Sequence, residues 1–491
     1  MKILLLYPES PTTFWSMKHA LKLVNKKAGL PPLGLLTIAT LLSEHELRLI
    51  DMNVNKLSDK DILWADYVFL SGMINQIKSV REIITRCKNL GIKVVAGGPI
   101  FNNIWEEFSD VTHFILSEAE ITLPQFLDDL KAGNPKQVYY SEDKPLPEQI
   151  PLPRWDLVDM KNYARMPIQI TRGCPFDCEF CDIVSLNGRK PRSKNVEQVI
   201  KEFNTLYDHG WRNQIFIVDD NFIGNKNLTK DILKALIKWR KSCNYPGSFT
   251  TQVSINLADD DELLELMKQS GFNTVFIGLE TPTAEGLKEC GKIQNQNRDM
   301  VAAVKKILSY GMEVFGGFIL GFDSDDETIF ERQLEFIQKT GIVVANISLL
   351  NAIPKTKLYN RLKQENRILN NPSGDFMDFT INFKPKMNSD ILMHGYTDLV
   401  RTLYSAQSYY DRIFNFLEAY RHNYNSRLNI NHVIAYFKAT YTLGILDKNR
   451  KYYWKLFFTA LFKYPKSFSK AIVQAGYYYH FNKVFKSAFE C

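Results

Sequence analysis

Three cysteines fall within eight residues, in Thr171-Arg-Gly-Cys174-Pro-Phe-Asp-Cys178-Glu-Phe-Cys181-Asp182. Their spacing is C-x3-C-x2-C. Thiolates suit iron–sulfur clusters and zinc alike. Three of them so spaced on a loop can converge on a cubane cluster, leaving one iron open to a small chelating molecule. Gly173 and Pro175 suit the tight turn this needs. The competing reading is structural zinc with a distant fourth ligand. Zinc usually takes four protein ligands, commonly from paired C-x2-C knuckles. This chain has no second knuckle and no loop histidine, and Phe180, which cannot ligate, precedes the last cysteine. The pattern favours a 4Fe–4S cluster, with zinc or coincidence as alternatives.

Polar groups recur where later strands should end. Val218-Asp219-Asp220-Asn221-Phe222 gathers acceptor side chains at one such end. Gln252 and Ser254 lie in a similar place, as do Gly278-Leu279-Glu280-Thr281 and Gly317-Phe-Ile-Leu-Gly321-Phe-Asp323. For each glycine the bland reading is an ordinary strand-end turn.

The elements that must position these groups are βα units. From Pro167 to about Gln364, candidate strands are Pro167–Thr171, Gln214–Asp219, Phe249–Val253, Thr274–Gly278, Glu313–Leu320 and Ala345–Leu350. Helices such as Val196–His209, Lys230–Ser242 and Asp259–Ser270 separate them. Six such units predict a partial (β/α)6 barrel of TIM type, with its site at the carboxyl ends of the strands. A second series precedes it: Lys2–Tyr7, Leu47–Asp51, Tyr67–Ser71, Lys93–Ala96 and His113–Leu116, with helices at Pro32–Ser43 and Ser79–Leu90. Short apolar runs between helical stretches predict a buried, doubly wound, Rossmann-like parallel sheet. Ligands of such sheets bind beyond the carboxyl strand ends. Those ends carry Tyr7-Pro8-Glu9, Asp51-Met52-Asn53, Ser71-Gly72-Met73 and Gly97-Gly98-Pro99. The proline-rich stretch Lys144–Pro153 predicts an extended connector. The expected division is 1–140, a linker over 141–165, the barrel over 166–370, and a mainly helical region over 371–491.

At 491 residues the chain exceeds one core. A net charge of +7 is too mild at this length to argue for nucleic acid. The opening MKILLLYPES is halted by Pro8 and Glu9, which predicts a buried strand rather than a signal peptide. No apolar run is long enough to span a bilayer. A cytoplasmic location with reduced thiols is expected, so clustered cysteines imply metal binding rather than disulfides. Cys87, Cys243, Cys290 and Cys491 read as free thiols, and His113, His394 and His480 as structural.

C-x3-C-x2-C with an aromatic before the last cysteine resembles the radical S-adenosylmethionine superfamily. The resemblance implies that Cys174, Cys178 and Cys181 hold the cluster and Phe180 shields it. S-adenosylmethionine then chelates the open iron, and reductive cleavage yields a 5′-deoxyadenosyl radical. It also implies S-adenosylmethionine contacts at Asp219, Asp220, Asn221, Gln252, Ser254, Glu280, Gly317 and Gly321. The N-terminal sheet, with Pro31-Pro-Leu-Gly34 and Ala96-Gly-Gly-Pro99, looks like a cobalamin-binding domain. That implies cobalamin contacts at Asp51, Asn53, Ser71, Gly72, Gly97 and Gly98. The family's Asp-x-His-x-x-Gly motif is replaced by Asp51-Met52-Asn53, with no axial histidine; a degenerate domain that only packs on the barrel is the alternative. Glu118-Ala-Glu120 stands where relatives carry Gly-Glu. Cys178–Ile183, Asp219–Asn225, Gln252–Ala258 and Gly321–Asp323 are similar to the subgroup that includes hopanoid C-2 methylases. Pro354-Lys355-Thr356 departs from its Pro-Gly-Thr.

The resemblance implies a methyltransferase acting on an unactivated carbon of an apolar, lipid-type small molecule, with an electron donor such as ferredoxin or flavodoxin. The alternatives are a rearrangement, cyclisation or carbon–carbon coupling on the same cofactors, or a metal-stabilised binding protein without catalysis. Residues 401–491 carry 14 Lys and Arg against 4 Asp and Glu, with aromatic runs such as Tyr452–Phe458 and Tyr477–Phe481. Such a segment can lie peripherally on an anionic membrane face, cap the barrel, hold an apolar substrate, or simply pack with a solvated lysine face. No nucleic-acid-binding module is visible.

Overall fold

Ile3, Leu4, Leu5 and Leu6 are all fully buried in the computed structural model, which describes residues 1–370, 379–422 and 430–489. Alternate residues of this strand serve opposite faces. Ile3 and Leu5 join one apolar cluster, and Leu4 and Leu6 the other. Both faces of the first sheet are therefore covered, as its unbroken apolar runs require. Its strands are β1 (Lys2–Tyr7), β2 (Glu46–Asp51), β3 (Tyr67–Ser71), β4 (Lys93–Gly97), β5 (His113–Ile115) and β6 (Val138–Tyr139). All pair in parallel, in the order β2-β1-β3-β4-β5-β6. The order reverses direction between β1 and β3, which makes that crevice the ligand-binding position of an open α/β sheet. The two-residue β6 is too short to show as a pattern in the sequence.

The second sheet comprises β7 (Met166–Ile168), β10 (Ile215–Ile217), β11 (Phe249–Gln252), β12 (Phe272–Glu280), β13 (Glu313–Leu320) and β14 (Ala345–Leu349). It is parallel throughout, in the order β14-β13-β12-β11-β10-β7. The expected strand Pro167–Thr171 is divided. After β7 the chain turns into β8 (Thr171–Arg172), which pairs antiparallel with β9 (Arg192–Ser193) and closes the base of the cysteine loop. The connector Lys144–Pro153 holds a 3-10 turn at Pro147–Gln149 and is not extended throughout.

Helices after Asn388 cover the free edge of β14. Tyr404 and Tyr396 donate their hydroxyls to the Ala345 and Ile347 carbonyls at 2.6 and 3.2 Å. The last helix, Phe468–Phe489, sends Lys470 and Gln474 to the buried Glu313 at the start of β13. Much of the aromatic C-terminal content is thus barrel cap. His480 is buried against the Thr13 and Phe14 carbonyls, and His113 against that of Lys136. His394 is exposed. Cys87, Cys243 and Cys290 are free thiols, and Cys491 lies outside the described residues.

Candidate active site

The cysteine loop leaves β8 at the carboxyl end of β7 and is pinned from several sides. Asp220, just past β10, accepts from the Gly173 N–H at 2.8 Å and from Asn187 Nδ2 at 2.9 Å. Cys174 N–H bonds to the Gly188 carbonyl (3.2 Å) and Cys181 N–H to that of Cys178 (3.1 Å). Glu179 donates its N–H to the Cys290 carbonyl at 3.0 Å, and its side chain accepts from Arg361 Nε at 2.6 Å. The loop is thereby held between the β10, β12 and β14 strand ends. All three thiols are free. Burial pushes each of them up, Cys181 to about 12. A nearby cation opposes this. Lys292, just past the short helix Ala284–Glu289 that follows β12, is tied to Glu280 Oε1 at 2.6 Å. Burial acts to lower its pKa, but Glu280 and the Cys178 and Cys181 thiols hold it above the usual lysine range.

Glu280 has a left-handed backbone (φ 66°). A non-glycine residue there costs about 1–2 kcal/mol, which Lys292 helps offset. Such strain is characteristic of functional sites. Asp219 is buried and accepts from Ile170 N–H at 2.7 Å through Oδ1, while Oδ2 has no partner. Burial pushes its carboxyl up to about 7. Asn221 and Ser254 bond to one another, through Nδ2 to Oγ at 3.2 Å and Oδ1 to N–H at 3.3 Å. Phe180 packs 6.4 Å from Phe322. A Cβ on Gly317 would lie 2.8 Å from the tip of the Phe276 ring, so a larger residue there would push that ring aside. The Gly321 N–H donates to Asp325 Oδ2 at 2.8 Å. The Gln252 carbonyl accepts from Phe222 N–H at 2.9 Å.

Around this loop stand further buried side-chain oxygens without a partner, Oε1 of Gln294, Oδ1 of Asn295 and Oδ1 of Asn103. Their chemistry fits a polar ligand beside the thiols, since buried polar groups are normally satisfied. Among the described residues no three His, Cys, Asp or Glu side chains are arranged to hold a single metal ion.

The N-terminal sheet meets the barrel at this same place. Glu118 and Glu120, past β5, bind Arg172 at 2.5 and 2.7 Å, and Glu118 also takes Arg192 at 2.5 Å. Burial acts to raise the Glu118 carboxyl, but Arg192 and Arg172 hold it below the usual carboxylate range. Lys355, at φ 71°, donates to the Asn102 carbonyl at 2.5 Å. A cavity of about 430 Å³ opens between the domains beside Asn102, Trp105, Ser117, Tyr140, Lys144 and Lys355.

At the sheet's own strand ends, Asn53 bonds to Asp51 Oδ1 (2.8 Å) and to the Pro8 carbonyl (3.1 Å). Asp51 Oδ2 accepts from Tyr163 Oη at 3.0 Å. Asn53 is thus committed to shaping the loop. Gly98 (φ 92°) has no room for a Cβ, which would fall 2.4 Å from Ser71 Oγ. Cβ atoms on Gly97 and Gly72 would lie 2.8 Å from the Ile115 carbonyl and 3.0 Å from Val80. These glycines let the carboxyl ends of β3, β4 and β5 and their following segments pack closely. Sequence reasoning missed Lys292, Asn187 and Arg192, whose roles depend on contacts between distant loops.

The radical SAM superfamily profile matches residues 168–348, and a domain of unknown function (DUF4070) covers 356–490. The chain is 41% identical over 416 residues to the uncharacterized methyltransferase sll1242 of Synechocystis sp., spanning 84% of this chain and 78% of that one. It is 34% identical over 380 residues to the hopanoid C-2 methylase of Rhodopseudomonas palustris, spanning 76% and 72%. The chain belongs to the cobalamin-dependent radical SAM methyltransferase family. The solved structure of the cobalamin-dependent radical enzyme OxsB has the same fold, with a TM-score of 0.64 over 100% of this chain and 80% of that one at 14% identity. The family's cofactors are a 4Fe–4S cluster, S-adenosylmethionine and cobalamin.

Proposed function

We propose that this methyltransferase acts on an unactivated carbon of an apolar, lipid-type small molecule. The observation that carries the reading is the joint between the two sheets. Glu118 and Glu120 of one domain grip Arg172, two residues before Cys174 of the other. A substrate at the barrel mouth would face both cofactor sites at once. The 34% identity to a hopanoid methylase supports the substrate class.

When bound, the cofactors supply reductive cleavage of S-adenosylmethionine and methyl delivery through cobalamin, chemistry no side chain provides. The chain's own residues position and shield. Cys174, Cys178 and Cys181 would hold the cluster, with Phe180 covering it. Asp219 Oδ2, Glu280, and the Asn221–Ser254 pair are the acceptors available to S-adenosylmethionine, with Gln252, Gly317 and Gly321 beside them. Ser71, Gly72, Gly97 and Gly98 would line the cobalamin side of residues 1–140, with the Asp51–Asn53 pair shaping the loop beside them and no axial histidine. Residues 141–165 link that unit to a barrel over 166–370; of the mainly helical region 371–491, the described residues 379–422 and 430–489 pack on it. The enzyme would work in the cytoplasm with a ferredoxin- or flavodoxin-type donor.

Reconstituted anaerobically and given an apolar extract, the enzyme is expected to yield a product heavier by one methylene unit. 5′-Deoxyadenosine and S-adenosylhomocysteine should appear together, read by mass spectrometry. 5′-Deoxyadenosine without S-adenosylhomocysteine or methylated product would sink methyl transfer. A finer test concerns Asp220, whose carboxylate anchors the loop through two hydrogen bonds to charge, worth about 1.5–3 kcal/mol each. Asp220→Ala should bind markedly less iron per chain, and Asp220→Asn, which keeps an acceptor, should recover much of it. Equal iron content in all three proteins would remove Asp220 from the loop's support.

A further inference from the structure

The helices beyond residue 430 expose a surface that the barrel does not use. Phe437, Tyr441 and Ile445 recur at every fourth position along Ile430–Tyr441 and the π-helical turn Thr442–Leu446, and are 66%, 56% and 54% exposed. That row continues onto the next helix, Arg450–Lys463. There Trp454 donates Nε1–H to the Gly444 carbonyl at 2.8 Å, stacks on Phe458 at 5.8 Å, and Phe458 stacks on Phe462 at 6.5 Å. Phe462 is 78% exposed. A contiguous apolar surface of this kind marks an interaction site.

Its surroundings identify the occupant. Residues 430–489 hold ten Lys and Arg and a single carboxylate, Asp447. Lys438, Lys448, Lys451, Lys455, Lys463 and Lys466 are all exposed on the segments that bear the aromatic surface. A second copy docked about a two-fold axis would bring this cationic fringe against itself, which is repulsive. No helix among the described residues is long and apolar enough to cross a membrane. Aromatic side chains within a lysine fringe match the interface of a bilayer with anionic headgroups, where rings enter the acyl boundary and ammonium groups meet phosphate.

We propose that the face formed by Phe437, Tyr441, Ile445, Phe458 and Phe462 docks the enzyme peripherally on an anionic lipid surface. This goes beyond the proposed reaction and is tested without it. The full-length holoenzyme is sedimented with vesicles of phosphatidylcholine alone, or mixed with phosphatidylglycerol. Binding is expected only to the mixed vesicles and should weaken with salt. The double variant Phe458→Ser/Phe462→Ser should bind about tenfold or more weakly, and Lys451→Gln and Lys455→Gln about fivefold each. Circular dichroism and S-adenosylmethionine cleavage should stay unchanged, because these side chains lie outside the barrel. Failure of the wild type to bind mixed vesicles overturns the proposal, as does undiminished binding of the variants. So does a dimer that Phe458→Ser/Phe462→Ser dissociates without any vesicle binding, which assigns the face to a second copy.

Discussion

Cys178→Ala is expected to leave a folded chain with no cluster absorption in the visible and no 5′-deoxyadenosine formation. Turnover should fall by on the order of 10³-fold or more, because losing the cofactor removes the whole radical route. The fold should survive, since the change removes one sulfur from a loop held by Asp220, Glu179 and backbone bonds. Cys174→Ala and Cys181→Ala should behave alike. The decisive comparison is Cys290→Ala. Cys290 is buried, and its carbonyl accepts from the Glu179 N–H within the cysteine loop at 3.0 Å. A three-thiolate cluster with one open iron predicts that Cys290→Ala keeps the absorption and the cleavage. If Cys290→Ala loses both as fully as Cys178→Ala, the site has four thiolates and no open iron, and the radical reading fails. Electronic absorption, iron content and liquid chromatography of the cleavage products read the series.

Glu118→Ala should destabilise the joint between the two sheets by about 3–5 kcal/mol, as expected when one member of a buried ionic group is removed. Its carboxylate receives Arg172 and Arg192 at 2.5 Å and Lys144 at 3.6 Å. Arg172 would keep Glu120, but Arg192 would be left with only the Pro145 and Asn187 carbonyls. Urea unfolding followed by intrinsic fluorescence should show an earlier transition, with Glu118→Gln between wild type and Glu118→Ala. The pH dependence has a definite sign. The folded carboxyl of Glu118 lies below its unfolded value of about 4.3, so its contribution is fully present above that pH. It is lost as the pH falls through the lower folded value. Wild-type stability should therefore decline below about pH 4 more steeply than that of Glu118→Gln. Parallel acid profiles would show that Glu118 is not the linking charge.

Local pattern was enough for most of the strands, though not for the break between β7 and β8 or for the short β6. Lys2–Tyr7, Tyr67–Ser71 and Glu313–Leu320 are strands over the residues their apolar runs mark out, because burial on both faces leaves no other pattern. The three cysteines were legible for a similar reason. Their ligand spacing is local, and the loop that carries it spans eight residues. Asp219, Asp220 and Asn221 were legible as a strand-end cluster, but their division of labour was not. Asp220 anchors the cysteine loop and Asn221 pairs with Ser254, while only Asp219 keeps a buried oxygen unpartnered.

What the chain's order alone determined, then, is the cysteine triad, the two parallel sheets and the missing histidine at Asn53. Tertiary structure decided which groups those features meet. Lys292 reaches back over a short helix to Glu280, Arg172 reaches Glu118 from 54 positions away, and the Cys290 carbonyl meets the Glu179 N–H of the cysteine loop. It also sorted the aromatic C-terminal residues into those that cap β14 and those that face outward. The physical reason is the range of the forces. Strand and ligand-loop patterns arise from backbone geometry over a few residues, whereas ion pairs and exposed faces depend on which distant loops the packed sheets bring together.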